Sequence, residues 1–502
     1  MPDLLSATAA GLPDRVAVRT SDESLTYGEL WDAARRYAAV LTERGVRPGD
    51  RVGVLVPNVP QFPAVYYGVL CAGAVVVPVQ AMLRAEEIGY LLADSGARLL
   101  IAAAPLLAQG AAGARSAGAD VLTLLADADG VDRLDLLAAT AVPGDPVARR
   151  GEDLAVVIYT SGTTGEPKGA MLTHANVVSN VVATDDALLH GAPDDVVLCC
   201  LPLFHAFGQQ ASMNTTVLTG GTLVLMPRFD ADEALRLLVA ERVTVFAGVP
   251  TMYVGLLAAA ARTDLRPSSL RLAISGGAAL PLAVLERFRD VFGADVCEGY
   301  GLSETTCVAT VNQPARGTRP GTVGHPIPGV DVAVAEPDVE DRVVLLGPEQ
   351  LGEVVIRGSN VMAGYLGRPE ATAAAVVDGW FRSGDLGVLD ADGFLRIVDR
   401  KKDLVIRGGF NVYPREVEEV LLHHDGVQQV AVVGVPDDLY GEEVVAVVVP
   451  APGGALDPAA LVAWSRERLG AHKYPRQVRV VDALPLGPSG KVLKRELRDA
   501  LR

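Results

Sequence analysis

The chain has 502 residues, half of them hydrophobic and a fifth charged, with a mean hydropathy of +0.28. That supplies enough apolar surface for several packed cores and excludes a disordered chain or a small stapled scaffold. Asp and Glu outnumber Lys and Arg by 61 to 44, giving a formal charge of −17 and a pI near 4.9, a mean field that repels nucleic acid.

Five cysteines without a CxxC pair support neither a disulfide framework nor a zinc site. The start, MPDLLSATAAGLPDR, has no basic region followed by an apolar one, which predicts no secretory leader and a cytoplasmic protein. YGELWDAARRYAAVLTERG has helical spacing, and RVGVLV reads as a short apolar strand. Residues 52–83 carry no charge, yet Pro57, Pro60, Pro63 and Pro78 exclude a membrane-spanning helix, so the run predicts strand, loop, helix and strand in a core. Residues 102–119, rich in Ala and Gly, read as helix and loop. A second α/β stretch, from about 175 to 300, has GGTLVLMP and RVTVFAGVP as strands with FDADEALRLLVAE as the helix between them. After Val323, runs such as GEVVIRG and DGFLRIVDR predict a more β-rich section. At DRKKDLVIRGG, residues 399–409, five successive charges and a Gly pair read as an exposed hinge, or as a plain surface turn. The last hundred residues, with strands near VQQVAVVGV and VVAVVVP and a helix near LVAWSRERLG, predict a small α+β domain. Residues 466–502 reverse the overall sign, ten Lys or Arg against four Asp or Glu, which suits an anionic small molecule.

Directly after the apolar run LAVVIY comes Tyr159-Thr160-Ser161-Gly162-Thr163-Thr164-Gly165-Glu166-Pro167-Lys168-Gly169. Hydroxyls and Gly amides in a tight loop after a strand can wrap phosphate oxygens, and Lys168 adds positive charge. Pro167 precedes that lysine and Gly169 follows it, so this is not the Walker pattern and predicts no P-loop helix. A flexible linker is the bland alternative, but linkers do not usually follow a buried strand and end in Pro-Lys-Gly. A second cluster, Glu298-Gly299-Tyr300-Gly301-Leu302-Ser303-Glu304-Thr305, follows another strand-like run. Its glycines let a flat ring approach the backbone, Tyr300 can stack on that ring, and Glu304 is the hard oxygen ligand that Mg²⁺ uses with phosphates.

Together with Trp380-Phe381-Arg382-Ser383-Gly384-Asp385, Asp399-Arg400-Lys401-Lys402 and Pro488-Ser489-Gly490-Lys491, these loops resemble the adenylate-forming (AMP-binding) superfamily of acyl-CoA synthetases, firefly luciferase and peptide-synthetase adenylation domains. The wording is closest to fatty-acyl-CoA ligases and 4-coumarate-CoA-ligase-like enzymes. The resemblance runs in family order from the LTYGEL segment to the last helix. It implies an α/β fold: a large N-terminal AMP-binding domain over 1–399, made of two α/β subdomains plus a β-rich subdomain, a hinge at 400–403, and a small mobile α+β C-terminal domain over 404–502.

The resemblance also implies ATP, Mg²⁺ and coenzyme A. Thr160, Ser161, Gly162, Thr163, Thr164 and Lys168 would wrap the phosphates, with Thr163 at the chemistry. Gly276, Gly277, Ala278 and Ala279 would border adenine and the acyl pocket, with Glu298, Gly299, Tyr300 and Ser303 alongside. Asp385 would hold the ribose hydroxyls beside Arg400, and Glu304 would bind magnesium with a hydroxyl of the Thr163-Thr164 pair, Thr164 being the one assigned. His205, in PLFHAFG, matches the gate of the acyl site, where Phe207, Gly277, Gly299 and Tyr300 would be its neighbours; a lone His among apolar residues would otherwise read as core. Lys491 is similar to the catalytic lysine of the mobile domain, Lys402 to its hinge residue, and Gly408 and Gly409 to the loop lining the thiol tunnel.

The implied reaction joins a carboxylic acid to coenzyme A through an acyl-adenylate, releasing AMP and pyrophosphate. Phe204-His205 stands where amino-acid-activating relatives place an Asp, and Gly299 where malonate-type relatives carry an Arg, so a monocarboxylic acid with an apolar body is expected. A medium- or long-chain fatty acid comes first, an aryl or hydroxycinnamic acid second, although Val79-Gln80-Ala81 replaces the Asn-Pro pair common to both. A carrier protein in place of coenzyme A is a further alternative acceptor; a catalytically silent binding protein of the same fold is another reading of the chain, against which Lys168, Glu304, Asp385, Arg400 and Lys491 together argue.

Overall fold

A computed structural model of the chain describes residues 1–160, 166–451, 456–487 and 492–501. Close contacts divide it into two compact units, Met1–Val332 with Ile356–Phe381, and Ala333–Val355 with Arg382–Arg502. The second unit thus begins before residue 399 and includes an excursion at Ala333–Val355 that no local pattern marks.

The first unit holds two sheets. In one, seven strands run in the order Gly364–Tyr365, Lys168–Thr173, Leu154–Thr160, Val75–Pro78, Arg51–Leu55, Ala97–Ala103 and Asp120–Leu124. Helices Ala85–Ser95 and Leu107–Ala117 cover one face of it, joined through Ile88, Leu92, Leu100 and Ala114. The uncharged run 52–83 resolves as expected into strand, loop, helix Gln61–Cys71 and strand, and every residue of that helix after Gln61 is buried. Helix Tyr27–Glu43 packs across it, starting at a reciprocal cap in which the Glu29 amide donates to Thr26 Oγ1 at 3.2 Å and the Thr26 amide to Glu29 Oε2 at 2.8 Å. The two helices approach closely at Gly68, where an added Cβ would lie 2.8 Å from Cβ of Tyr37.

The other sheet has nine strands, in the order His325–Pro326, Thr310–Val311, Val296–Tyr300, Leu272–Ser275, Val245–Gly248, Val196–Cys199, Thr222–Leu225, Val16–Arg19 and Ser24–Thr26. Its central strands are parallel and apolar, as strands covered on both faces are. Phe246, Tyr253, Leu256, Phe288 and Phe292 form the core beneath helices Ala231–Ala240, Pro250–Ala260 and Leu282–Phe292. The parallel strands end on Ser275, just before Gly276, and on Tyr300, the edge where open α/β sheets bind ligands.

In the second unit, Val427–Asp437 and Gly441–Pro450 form a long hairpin, extended by Val405–Arg407 and Phe410–Val412 and by Gln477–Val480. Alternation sends Val432, Val444 and Val448 to one face, against Val417, Leu421 and Leu461, and Val433, Val445 and Val447 to the other, against Leu484 and Leu497. Among the described residues no helix is long and apolar enough to cross a membrane.

Candidate active site

Strands Leu154–Thr160 and Lys168–Thr173 pair antiparallel with Thr160 opposite Lys168, so these two residues flank the ends of the phosphate-loop motif. Ser161, Gly162, Thr163 and Thr164 lie outside the described residues. Both flanks are anchored. Tyr90 donates its hydroxyl to the Pro167 carbonyl at 2.9 Å, while Tyr159 donates to Asp94 Oδ2 at 2.7 Å, whose other oxygen accepts from Arg368 at 2.7 Å.

The second motif continues from strand Val296–Tyr300 into a short turn of 3₁₀ helix, Ser303–Thr305. Gly301 is required there, because an added Cβ would sit 1.8 Å from the Cys307 carbonyl oxygen. The turn brings the buried Glu304 to the phosphate-loop strand, where its Oε1 accepts from Thr160 Oγ1 at 3.1 Å. A third element meets them: the Tyr365 hydroxyl donates to the same Oε1 at 3.0 Å. Lys168 Nζ lies 5.4 Å from the centre of the Tyr365 ring, within cation–π range. Burial first and the Glu304 charge second raise the phenol's pKa, so Tyr365 stays a donor at ordinary pH. One carboxylate among hydroxyls beside a phosphate loop fits Mg²⁺, which takes few protein ligands and completes its shell with phosphate and water.

The acyl-site candidates converge separately. Phe207 packs its ring on Gly276, where an added Cβ would meet ring atoms at 3.1 Å and the Gly299 carbonyl at 3.6 Å. His205 sits in the preceding turn and accepts the Phe207 amide on Nδ1 at 3.3 Å. Gly277 has φ +82°, Ala278 beside it is exposed, and Ala279 is half-buried. Glu298 is buried and accepts the Leu280 amide on Oε1 at 3.0 Å, bracing this turn from the next strand. Tyr300 is half-buried, its carbonyl taken by the Ala309 amide at 2.8 Å, and Ser303 is half-buried beside Glu304.

In the second unit Asp385 and Arg400 stand opposite each other on paired strands, with Nε 3.1 Å from Oδ1. Asp385 is buried and Arg400 exposed. Ser383 shapes the approach: its hydroxyl donates to the Val354 carbonyl at 2.6 Å and accepts the Asp385 amide at 3.1 Å. Lys402 is the exposed middle residue of the turn Lys401–Asp403, which Arg498 ties to the last helix through Asp403 at 2.6 Å. Gly408 and Gly409, at φ +56° and +82°, form the two-residue connection between Arg407 and Phe410, a turn that needs positive φ at both positions. Lys491 lies outside the described residues. The sequence motifs missed Tyr90 and Tyr365; only the Gly-Tyr of MAGYLGRPE could have drawn attention to the latter, and Gly-Tyr is common.

A hydroxyl-rich segment joining paired strands, a buried carboxylate hydrogen-bonded to its Thr160 end, and the Phe207 ring packed on Gly276 at the carboxyl edge of a parallel sheet fit an ATP-dependent adenylate-forming enzyme. Residues 5–366 match the model of the AMP-binding enzyme family and residues 416–491 that of the AMP-binding enzyme C-terminal domain. The chain belongs to the AMP-binding enzyme family, and its class is that of the acid–thiol ligases. It is 41% identical to a feruloyl-CoA synthase from Amycolatopsis sp, over 97% of this chain and 96% of that protein. It is 36% identical to a long-chain-fatty-acid–CoA ligase from Bacillus subtilis (strain 168), over 99% and 94%. The ATP-bound crystal structure of MatB from Rhodopseudomonas palustris superimposes with a TM-score of 0.92 at 36% identity, covering 99% of this chain and 98% of that one.

Proposed function

We propose that the chain is an acyl-CoA synthetase for a medium- or long-chain fatty acid. A carboxylate oxygen attacks the α-phosphorus of ATP and the bond to pyrophosphate breaks; the thiol sulfur of coenzyme A then attacks the acyl carbonyl and AMP leaves. The observation that carries the first step is the meeting of Thr160, Lys168 and Glu304 at one end of a strand pair, cation and carboxylate beside the same phosphate loop. Bound there, Mg²⁺ would neutralise phosphate charge as pyrophosphate departs, with Glu304 and Thr164 as its protein ligands. Asp385 and Arg400 hold the ribose, Lys491 supplies a cation at the developing charge, and Lys402 is the pivot between the two half-reactions. Gly408 and Gly409 line the path of the thiol, and the apolar wall of Phe207 and Gly276 takes the acid's body.

The 41% identity to a feruloyl-CoA synthase favours a second reading, an aryl-propenoic acid in the same pocket. Pyrophosphate release from Mg·ATP, measured with acetate, octanoate, palmitate, benzoate and coumarate, with and without coenzyme A, separates the two. Turnover with octanoate or palmitate that needs coenzyme A supports the first reading; turnover confined to coumarate supports the second. A single stoichiometric burst despite coenzyme A would point to a carrier protein as acceptor and sink both.

A further inference from the structure

Two of the hydrogen bonds that Glu304 accepts fall on one oxygen, Oε1, and come from different parts of the chain. Thr160 belongs to the phosphate-loop strand itself. Tyr365 arrives just over two hundred residues later, on the two-residue strand Gly364–Tyr365, which pairs with Ala170 and Met171 at the other side of the same hairpin. Its amide donates to Thr372 Oγ1 at 2.9 Å, and the Met362 amide, three residues earlier, donates to the Glu304 carbonyl at 2.8 Å. Backbone and side chain of Glu304 are therefore both tied to the segment 362–365. The Tyr365 ring meanwhile faces Lys168, the cation of the phosphate loop.

Carboxylates that bind metals work best when outer hydrogen bonds fix their orientation. We propose that Tyr365 is a positioning residue for ATP-bound Mg²⁺, its phenol holding the Glu304 carboxylate in the orientation that takes up the ion, while its ring steadies Lys168. The proposal rests on the reading of Glu304 as the metal ligand. It gives the hydroxyl and the ring separate tasks: the hydroxyl governs dependence on the metal, and the ring governs attraction for phosphate with or without it.

Isothermal titration of ATP with and without Mg²⁺, and of AMP as a metal-independent control, tests this in the full-length protein. Tyr365→Phe, which keeps the ring, is expected to reduce the Mg²⁺-dependent gain in ATP affinity by about 10-fold, with AMP affinity unchanged. Turnover of that variant should recover as Mg²⁺ is raised. Tyr365→Leu should lose metal-free ATP affinity as well. A gain that is unchanged in Tyr365→Phe but reduced in Glu304→Gln overturns the role of Tyr365 and leaves the metal ligand standing. A gain unchanged in Glu304→Gln overturns both. Should Tyr365→Phe fail to fold, the Mg²⁺-dependent gain of Tyr365→Leu, which also lacks the phenol, carries the test, and an unchanged gain there refutes the role of Tyr365.

Discussion

Asp385 and Arg400 face each other across two antiparallel strands with 3.1 Å between Oδ1 and Nε, the aspartate buried and the arginine exposed. A carboxylate so held has one side neutralised and is preoriented for a diol. Asp385→Ala is expected to weaken AMP and ATP alike, by about 10- to 100-fold, since a buried, hydrogen-bonding carboxylate is removed. Equal losses for the two nucleotides in direct titrations would support a ribose role; loss for ATP alone would refute it.

Gly301→Ala tests the turn that delivers Glu304. The new methyl would sit 1.8 Å from a backbone oxygen, which no rotamer relieves. The turn must shift, so stability should fall by more than about 2 kcal/mol in denaturant unfolding. The Mg²⁺-dependent part of ATP affinity should fall in whatever fraction stays folded. A variant with unaltered stability would contradict the close approach.

Gly276→Val tests the acyl wall. A branched side chain there would displace the Phe207 ring, whose atoms already lie 3.1 Å from the position of an added Cβ. Pyrophosphate release with palmitate or coumarate should drop by at least about 10-fold as the pocket narrows, with acetate far less affected. Uniform loss across acids would argue that Gly276 serves the nucleotide instead.

Stability should also depend on pH through His174, the first residue of helix His174–Thr184. Burial, followed by nearby positive charge that includes Arg149, lowers its pKa from 6.5 to about 4. The unfolded chain therefore binds a proton first as pH falls. This contribution is whole above about pH 6.5 and shrinks below it, by about 1–2 kcal/mol at pH 5. Urea midpoints at pH 8 and pH 5 should differ less in His174→Gln than in the parent chain; an equal difference would dismiss His174 as the source.

What the linear chain determined by itself is what near neighbours decide. The helix after Thr26 has its cap three residues away in Glu29, the turn Gly408–Gly409 needs only its own positive φ angles, and the uncharged run 52–83 is parsed by its prolines. The motifs are of the same kind, since the hydroxyls, glycines and lysine of residues 160–169 lie within a dozen positions, and the resemblance they carry names the chemistry. Only the tertiary structure decided which distant groups meet. Val18 pairs with Leu223, so the first strand completes the second sheet, not the first, and Ala333–Val355 groups with the C-terminal unit. Glu298 takes the Leu280 amide from the turn after the neighbouring strand, and Tyr365, which no motif singled out, shares a carboxylate oxygen with Thr160. Strand pairing sets these encounters, and its register depends on how two whole sheets bury their apolar faces, a condition that no window of sequence contains.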